Sequence, residues 1–583
     1  MRRITSRWLP LTALTVAGVL AAACSSSTSS NGGGAAASNG GSGTTLTIAD
    51  ESGGTWACDF NPFNGNDEWF GFGPVYEPLS FVNALAPQPL APSAVKPWLA
   101  TSYTWNPSYT QLTFTIRPGV KWSDGTPFTA ADVAFTFNML KAHKPLDLES
   151  VWSNVGGPVT KVVAKGNQVV MSLDKPSPLY FYNIADQVAI VPQHIWSKIA
   201  NPVTFNDKTP IGTGAYTMKS CDPSNIVYKA NPHYYQAGLP KIKTVNFPAY
   251  LSNPPCNAAL ASGADQWGSQ FVPDIQTAYL AKDPKDFHTY SPPTASVSIV
   301  INLALGKSSP LSNPLVRQAM AYAINRPKAA QIGEGGEEPP SNQTDIVTAA
   351  DKGPYGSLYD AGQAAQFGNA YAYSPAKAVA LLKQAGYTQV VGGVRQNSAG
   401  QKLSFSLVNN GGYSDWVATL QDVVIPELSA VGIHVKLDDL SQTSYEDALY
   451  TGKFQLGYYA QTGGPGPFYE FRQWLFSGNT APIGQTASTN YERYSNKGTD
   501  ALINEYQAAA PSDTAKQTSI LDQLQLVMLK DVPIIPVTGQ VDWYQWDTAH
   551  ITGWPTPPHW YAQPAQYIYP DWGQVLLHLR PKS

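Results

Sequence analysis

The chain has 583 residues, too many for one small core, so it should divide into two or three lobes. Only 13% of its residues are charged and the net charge is -4, which removes any electrostatic case for nucleic acid or for an anionic membrane surface as partner. Aromatics reach 11%, with 16 Trp and 31 Tyr, so Tyr, Asn, Gln, Ser and Thr have to keep the surface wet.

Arg2, Arg3 and Arg7 precede an apolar run over residues 8–23 that is too short to span a bilayer permanently, and residues 1–23 read as an export signal. The run ends Leu20-Ala21-Ala22-Ala23-Cys24. Small residues before a Cys at this distance resemble the lipobox cut by the bacterial lipoprotein peptidase, although Ala21 stands where a large aliphatic residue is usual. Lipidation at Cys24 is the expectation. Residues 24–43 are rich in Gly, Ser and Ala, have nothing to bury, and are expected to form a disordered tether. A first strand over 44–52 follows. Cys58, Cys221 and Cys256 allow one bridge and one remaining thiol, and no CxxC pair points to a metal.

The most informative stretch is 96–140. Leu112, Phe114 and Ile116 alternate with Thr113, Thr115 and Arg117, the period of a half-buried strand. Pro118-Gly119 stops it, Asp124-Gly125 makes a second turn, and Thr129 with Asp132 three residues on is a capping box. Val133, Phe137 and Leu140 then share a helix face. WLA-x11-LTFTIRPGVKWSDGTPFTAADVAFTF resembles the signature of the extracytoplasmic solute-binding proteins of oligopeptide-type ABC importers, a family that includes dipeptide, oligopeptide and nickel binders. The likeness runs over residues 45–583 through PIGTGAY at 210–216, a strand and Pro-started helix over 301–327, the Ser374-capped helix at 374–387, and DVPIIPV at 531–537.

The resemblance implies an α/β, two-lobed periplasmic-binding-protein fold of the type II, Venus-flytrap kind with an extra small domain. Lobe I would combine 44–75, 206–297 and 538–583, the small domain would hold 76–205, and lobe III 298–537. Cys221 and Cys256, flanking strands of one lobe, are the expected disulfide pair. Trp56 and Phe63, in the loop after the first strand, are candidate cleft liners. The function implied is an extracytoplasmic substrate-binding lipoprotein, a monomer held to the outer face of the cell membrane only by its lipid. It would close on a short oligomer, peptide by family default, and deliver it to an ABC permease with its ATPase subunits.

No catalytic constellation emerges. HExxH, GxSxG, Walker and Rossmann patterns are missing, and His550 and His559, nine apart, are the nearest approach to a pair. No cofactor or metal is expected, and nickel or haem, bound elsewhere in the family, finds no His or Cys cluster. A carboxylate pair, as in a glycoside hydrolase, stays open as an alternative. Peptide-binding members resemble G-W-x-A-D-Y where this chain has Gly457, Tyr458, Tyr459, Ala460 and Gln461, so a neutral amide stands at the position of the Asp that holds a peptide's free amine. Trp543, Trp546, Trp554, Trp560 and Trp572 crowd a tail that resembles members binding cellobiose-like β-linked oligosaccharides. Indole faces stack on pyranoses while amides such as Asn302 and Gln540 satisfy hydroxyls. The candidate ligand set is therefore Trp56, Phe63, Asn302, Tyr458, Tyr459, Gln461, Gln540, Trp543 and Trp554.

Overall fold

The computed structural model describes residues 44–49, 54–64, 69–86, 88–345, 367, 370–460 and 464–583. Cys24, the residues before 44 and Gln461 lie outside them. Three larger sheets organise the chain. The first has seven strands in the order Phe287–Thr289, Gln545–Asp547, Trp267–Gly268, Thr45–Ala49, Thr244–Pro248, Asn225–Ala230, Tyr216–Asp222. Thr45–Ala49 sits at its centre, parallel to both neighbours, because Leu46 and Ile48 are buried while Thr45 and Thr47 stay half-exposed.

The second sheet is built from one continuous stretch, an antiparallel array of Ala100–Trp105, Gln111–Ile116, Gln168–Leu173 and Val159–Lys165. Leu112, Phe114 and Ile116 point into its core. Helix Ala130–Ala142 covers it, started by the Thr129/Asp132 capping box, in which the Thr129 N–H donates to Asp132 Oδ2 at 2.8 Å. The glycines of 210–216 serve close approach: a Cβ on Gly212 would stand 1.9 Å from the Val75 carbonyl oxygen, and one on Gly214 2.1 Å from that of Pro74.

The third sheet runs His434–Leu440, Ser404–Asn410, Leu456–Ala460, Pro293–Ile301, Ile534–Val541. Its last two strands, paired antiparallel, also carry the chain to and from the first sheet, since Phe287–Thr289 precedes one and Gln545–Asp547 follows the other. Their register shifts between Val297 and Ser298. Helix Pro314–Ala323 buries Val316, Ala319, Met320 and Ala323 behind this sheet, with the Asn313 side chain accepting from the Leu315 N–H at its start.

The expected disulfide is corrected. Cys58 pairs with Cys221, while Cys256 is a buried thiol on helix Asn253–Ala261. The reason lies in how the loop after the first strand is laid down: the Trp56 N–H donates to the Pro223 carbonyl and its indole N–H to that of Phe247, which brings Cys58 beside the end of strand Tyr216–Asp222.

Candidate functional site

Strand Leu456–Ala460 presents successive tyrosines to opposite sides, as its period requires. Tyr459 is half-buried and meets the Tyr491 ring edge-on at 5.3 Å, and Tyr491 stacks on Tyr450 at 4.9 Å. Glu446, on helix Gln442–Thr451, bears electrostatically on all three, and burial holds its own carboxyl above the usual range. Tyr569, from the C-terminal segment, lies within Coulomb range of Tyr459, Glu446 and Glu149, and its ring packs on Phe72. Burial pushes Glu149 up to about 7, although Asn183 donates to it at 2.8 Å. Parts of the chain belonging to all three sheets therefore converge on one aromatic, weakly acidic place. A narrow cavity lined by Phe63, Phe72, Glu149, Gln187 and Tyr569 opens beside it.

Around this place the parts of the chain touch through polar contacts. The Tyr469 hydroxyl donates to the Leu179 carbonyl, Lys175 Nζ to Asn504 Oδ1 at 2.6 Å, and Gln507 Nε2 to Ser177 Oγ at 2.8 Å. On the other side, Ser414 Oγ donates to Asn253 Oδ1 at 3.2 Å.

The residues singled out from sequence separate into two groups. Phe63 lines the cavity and packs edge-on to Trp196. Tyr459 belongs to the convergence. Trp543 meets Phe271 edge-on at 5.5 Å, and Gln540 is half-buried with Oε1 unpartnered. Tyr458 is fully buried, edge-on to Trp416. Trp56, Trp554 and Asn302 are spent internally. Trp56 is wedged between Phe70 and Phe247, and the Trp554 indole N–H donates to the carbonyls of Asp547 and Ile551. Asn302 Nδ2 donates to the carbonyls of Gly452 and Phe454, both at 2.9 Å, and its Oδ1 accepts from the Ala304 N–H. Among the other tail indoles, Trp546 is sandwiched by Tyr544 and His288 and Trp572 is sealed in the core of the first sheet. Trp560, with Tyr561 and Lys96, lines an open recess of about 500 Å³.

Glu149, Glu446, Tyr450, Tyr491 and Tyr569 were not singled out, because only the fold brings positions 149, 446 and 569 together. Among the described residues no group of three or more His, Cys, Asp or Glu could hold a metal ion, and no helix is long and apolar enough to cross a membrane.

Comparison with known proteins bears on this arrangement. The family model for bacterial extracellular solute-binding proteins, family 5 Middle, matches residues 94–482. The glutathione-binding protein GsiB of Salmonella typhi is 27% identical over 461 residues, covering 76% of this chain and 80% of that protein. Among solved structures, a mannohexaose-bound periplasmic oligopeptide-binding protein of an oligopeptide ABC transporter from Thermotoga maritima superposes with a TM-score of 0.82 at 25% identity, over 93% of this chain and 99% of that one. The oligopeptide-binding protein AppA of Bacillus subtilis, in complex with a nonapeptide, has a TM-score of 0.73 at 20% identity, over 92% and 99%, and shares the fold.

Proposed function

Because the chain belongs to the bacterial extracellular solute-binding proteins of family 5, the extracytoplasmic components of ABC importers, we propose that it captures a short oligomeric solute between its lobes and hands it unaltered to the permease and its ATPase subunits. The observation that carries the reading is the narrow cavity that Phe63, Glu149 and Tyr569, far apart in sequence, line together, with Tyr459 within Coulomb range of Tyr569. The lobes are read as 44–75 with 206–297 and 538–583, then 76–205, then 298–537. Closure bends the paired strands Pro293–Ile301 and Ile534–Val541 at their register shift. Residues 1–23 direct export, and Cys24 carries the lipid that keeps the protein at the outer face of the membrane.

Peptide is the first ligand class, in keeping with the glutathione-binding relative and the peptide-bound neighbour. A β-linked oligosaccharide is the second, favoured by the aromatic surfaces of Tyr459, Tyr491 and Trp543 and by the mannohexaose-bound neighbour. Titration calorimetry on ligand-stripped, refolded protein tests both, with tri- to pentapeptides in one arm and cello-oligosaccharides in the other. Saturable one-to-one binding in either arm supports the reading, and none in both overturns it.

A further inference from the structure

The open recess beside Trp560 shares no lining residue with the narrow cavity of Phe63, Glu149 and Tyr569, and capture of a solute between lobes makes no use of it. One wall is the hairpin of strands Ser80–Val82 and Val95–Pro97, which brings Asn83, Gln88, Ser93 and Lys96. The tail supplies the other, with Trp560 and Tyr561. The walls are fastened together where Asn83 Nδ2 donates to the Trp560 carbonyl at 2.8 Å, while Asn83 Oδ1 accepts from the Leu85 N–H. Tyr561 is fixed by its hydroxyl, which donates to the Gly553 carbonyl at 2.6 Å, and by the His578 ring stacked on it at 4.1 Å. Trp560 leans on Tyr290 at 5.3 Å and is only half-buried. The recess measures about 500 Å³, within the roughly 300–1,000 Å³ of small-molecule sites.

Lys96 gives this recess its charge. Its ammonium stands 6.0 Å from the ring centres of both Phe81 and Tyr561. Among the described residues it makes no ion pair and donates no hydrogen bond. Burial lowers its pKa against the charge of Asp571, which is too far for an ion pair, 1% exposed and already accepting from the Gln563 N–H. An ammonium partly withdrawn from water without a paired acid gains from an anion that enters beside it. The rest of the lining favours a sugar as the carrier of that anion. The Trp560 indole offers a face to the C–H surface of a pyranose. Gln88 and Ser93 are exposed, their side chains make no hydrogen bond among the described residues, and they can exchange hydrogen bonds with sugar hydroxyls. Three alanines complete the lining with methyl groups alone, which gives an apolar peptide side chain no deep socket.

We propose that this recess is an accessory glycan site, separate from the interlobe cleft, that takes a carboxylated pyranose of an acidic oligosaccharide, with the ring on Trp560 and the carboxylate on Lys96. Titration calorimetry at pH 7 with trigalacturonate and with its methyl ester, which keeps the rings and removes the charge, tests it on the wild type and on Lys96→Met, Trp560→Ala and the cleft variant Tyr569→Ala. The wild type should bind the acid about tenfold more tightly than the ester. Lys96→Met should erase that difference with the melting temperature unchanged, since it breaks no ion pair or hydrogen bond. Trp560→Ala should weaken both sugars about tenfold, and Tyr569→Ala should change neither. Binding of neither sugar, equal affinity for acid and ester, or binding lost in Tyr569→Ala and kept in the other two variants overturns the site. Trialanine bound in place of the sugar, with the same dependence on Trp560 and Lys96, overturns it as well. Failure of peptides and cello-oligosaccharides to bind would overturn the solute-capture reading and leave this site standing.

Discussion

Replacing Glu77 by Gln isolates the stability consequence of a buried acid that pins several parts of the chain. Its Oε1 accepts from the Trp98 indole at 2.7 Å and from the hydroxyls of Tyr234 at 2.8 Å and Tyr235 at 3.4 Å, while Oε2 accepts from Thr213 Oγ1 at 2.8 Å. Burial outweighs these donors and lifts the carboxyl from 4.5 to about 7. A rise of that size corresponds to about 3 kcal/mol. Between pH 4.5 and 7 the folded state holds the proton that the unfolded state has released, so stability from this group is full below pH 4.5 and is lost as pH rises through 7. Gln keeps the Oε1 acceptor and can reverse the Thr213 contact by donating from Nε2, so Glu77→Gln should lie within about 1 kcal/mol of wild type at pH 5. By pH 8 it should be the more stable by about 2–3 kcal/mol. Urea denaturation at pH 5, 6.5 and 8 reads the difference directly. A wild-type-minus-variant gap that stays constant with pH would show that Glu77 ionises normally and refute the reasoning.

Other substitutions probe separate parts of the account. Cys221→Ser opens a link between residues 163 apart, worth at most about 5 kcal/mol of chain entropy, and should lower the urea midpoint far more than Cys256→Ser does. Asn302→Ala forfeits three internal hydrogen bonds and should cost about 2–4 kcal/mol in denaturation while leaving ligand affinity within about twofold. Tyr569→Ala should weaken ligand binding about 10- to 100-fold by calorimetry with little change in melting temperature, and unchanged affinity would move the cleft elsewhere. Cys24→Ser should release the protein from the membrane fraction or leave it unprocessed, and fractionation like wild type would remove the lipid.

Local chemistry was readable in the chain and long-range assembly was not. Strand Gln111–Ile116 and helix Ala130–Ala142 follow from alternation and from a capping box whose two partners stand three positions apart, signals contained in the segment itself. The Cys58–Cys221 bond depends on where an irregular loop lands, which Trp56 decides through contacts with residues 223 and 247 that no local pattern encodes. The Trp-rich tail shows the same limit. An indole that cements a core and one that lines a cleft look alike in sequence, and Trp546 and Trp572 are packed inside while Trp560 borders a recess. The GEGGEEPP run reads as a solvated acidic turn until the fold buries Glu334 and Glu338.

Native mass spectrometry of the protein purified gently from its own membranes tests the central claim, that the chain holds a short oligomer and does not transform it. The account predicts a one-to-one non-covalent complex whose partner, released by denaturation, has the mass of a peptide or oligosaccharide and keeps that mass after hours of incubation with fresh protein. A partner that is progressively shortened during incubation, or a protein that carries nothing and takes up no oligomer from its host's own extract, would contradict it.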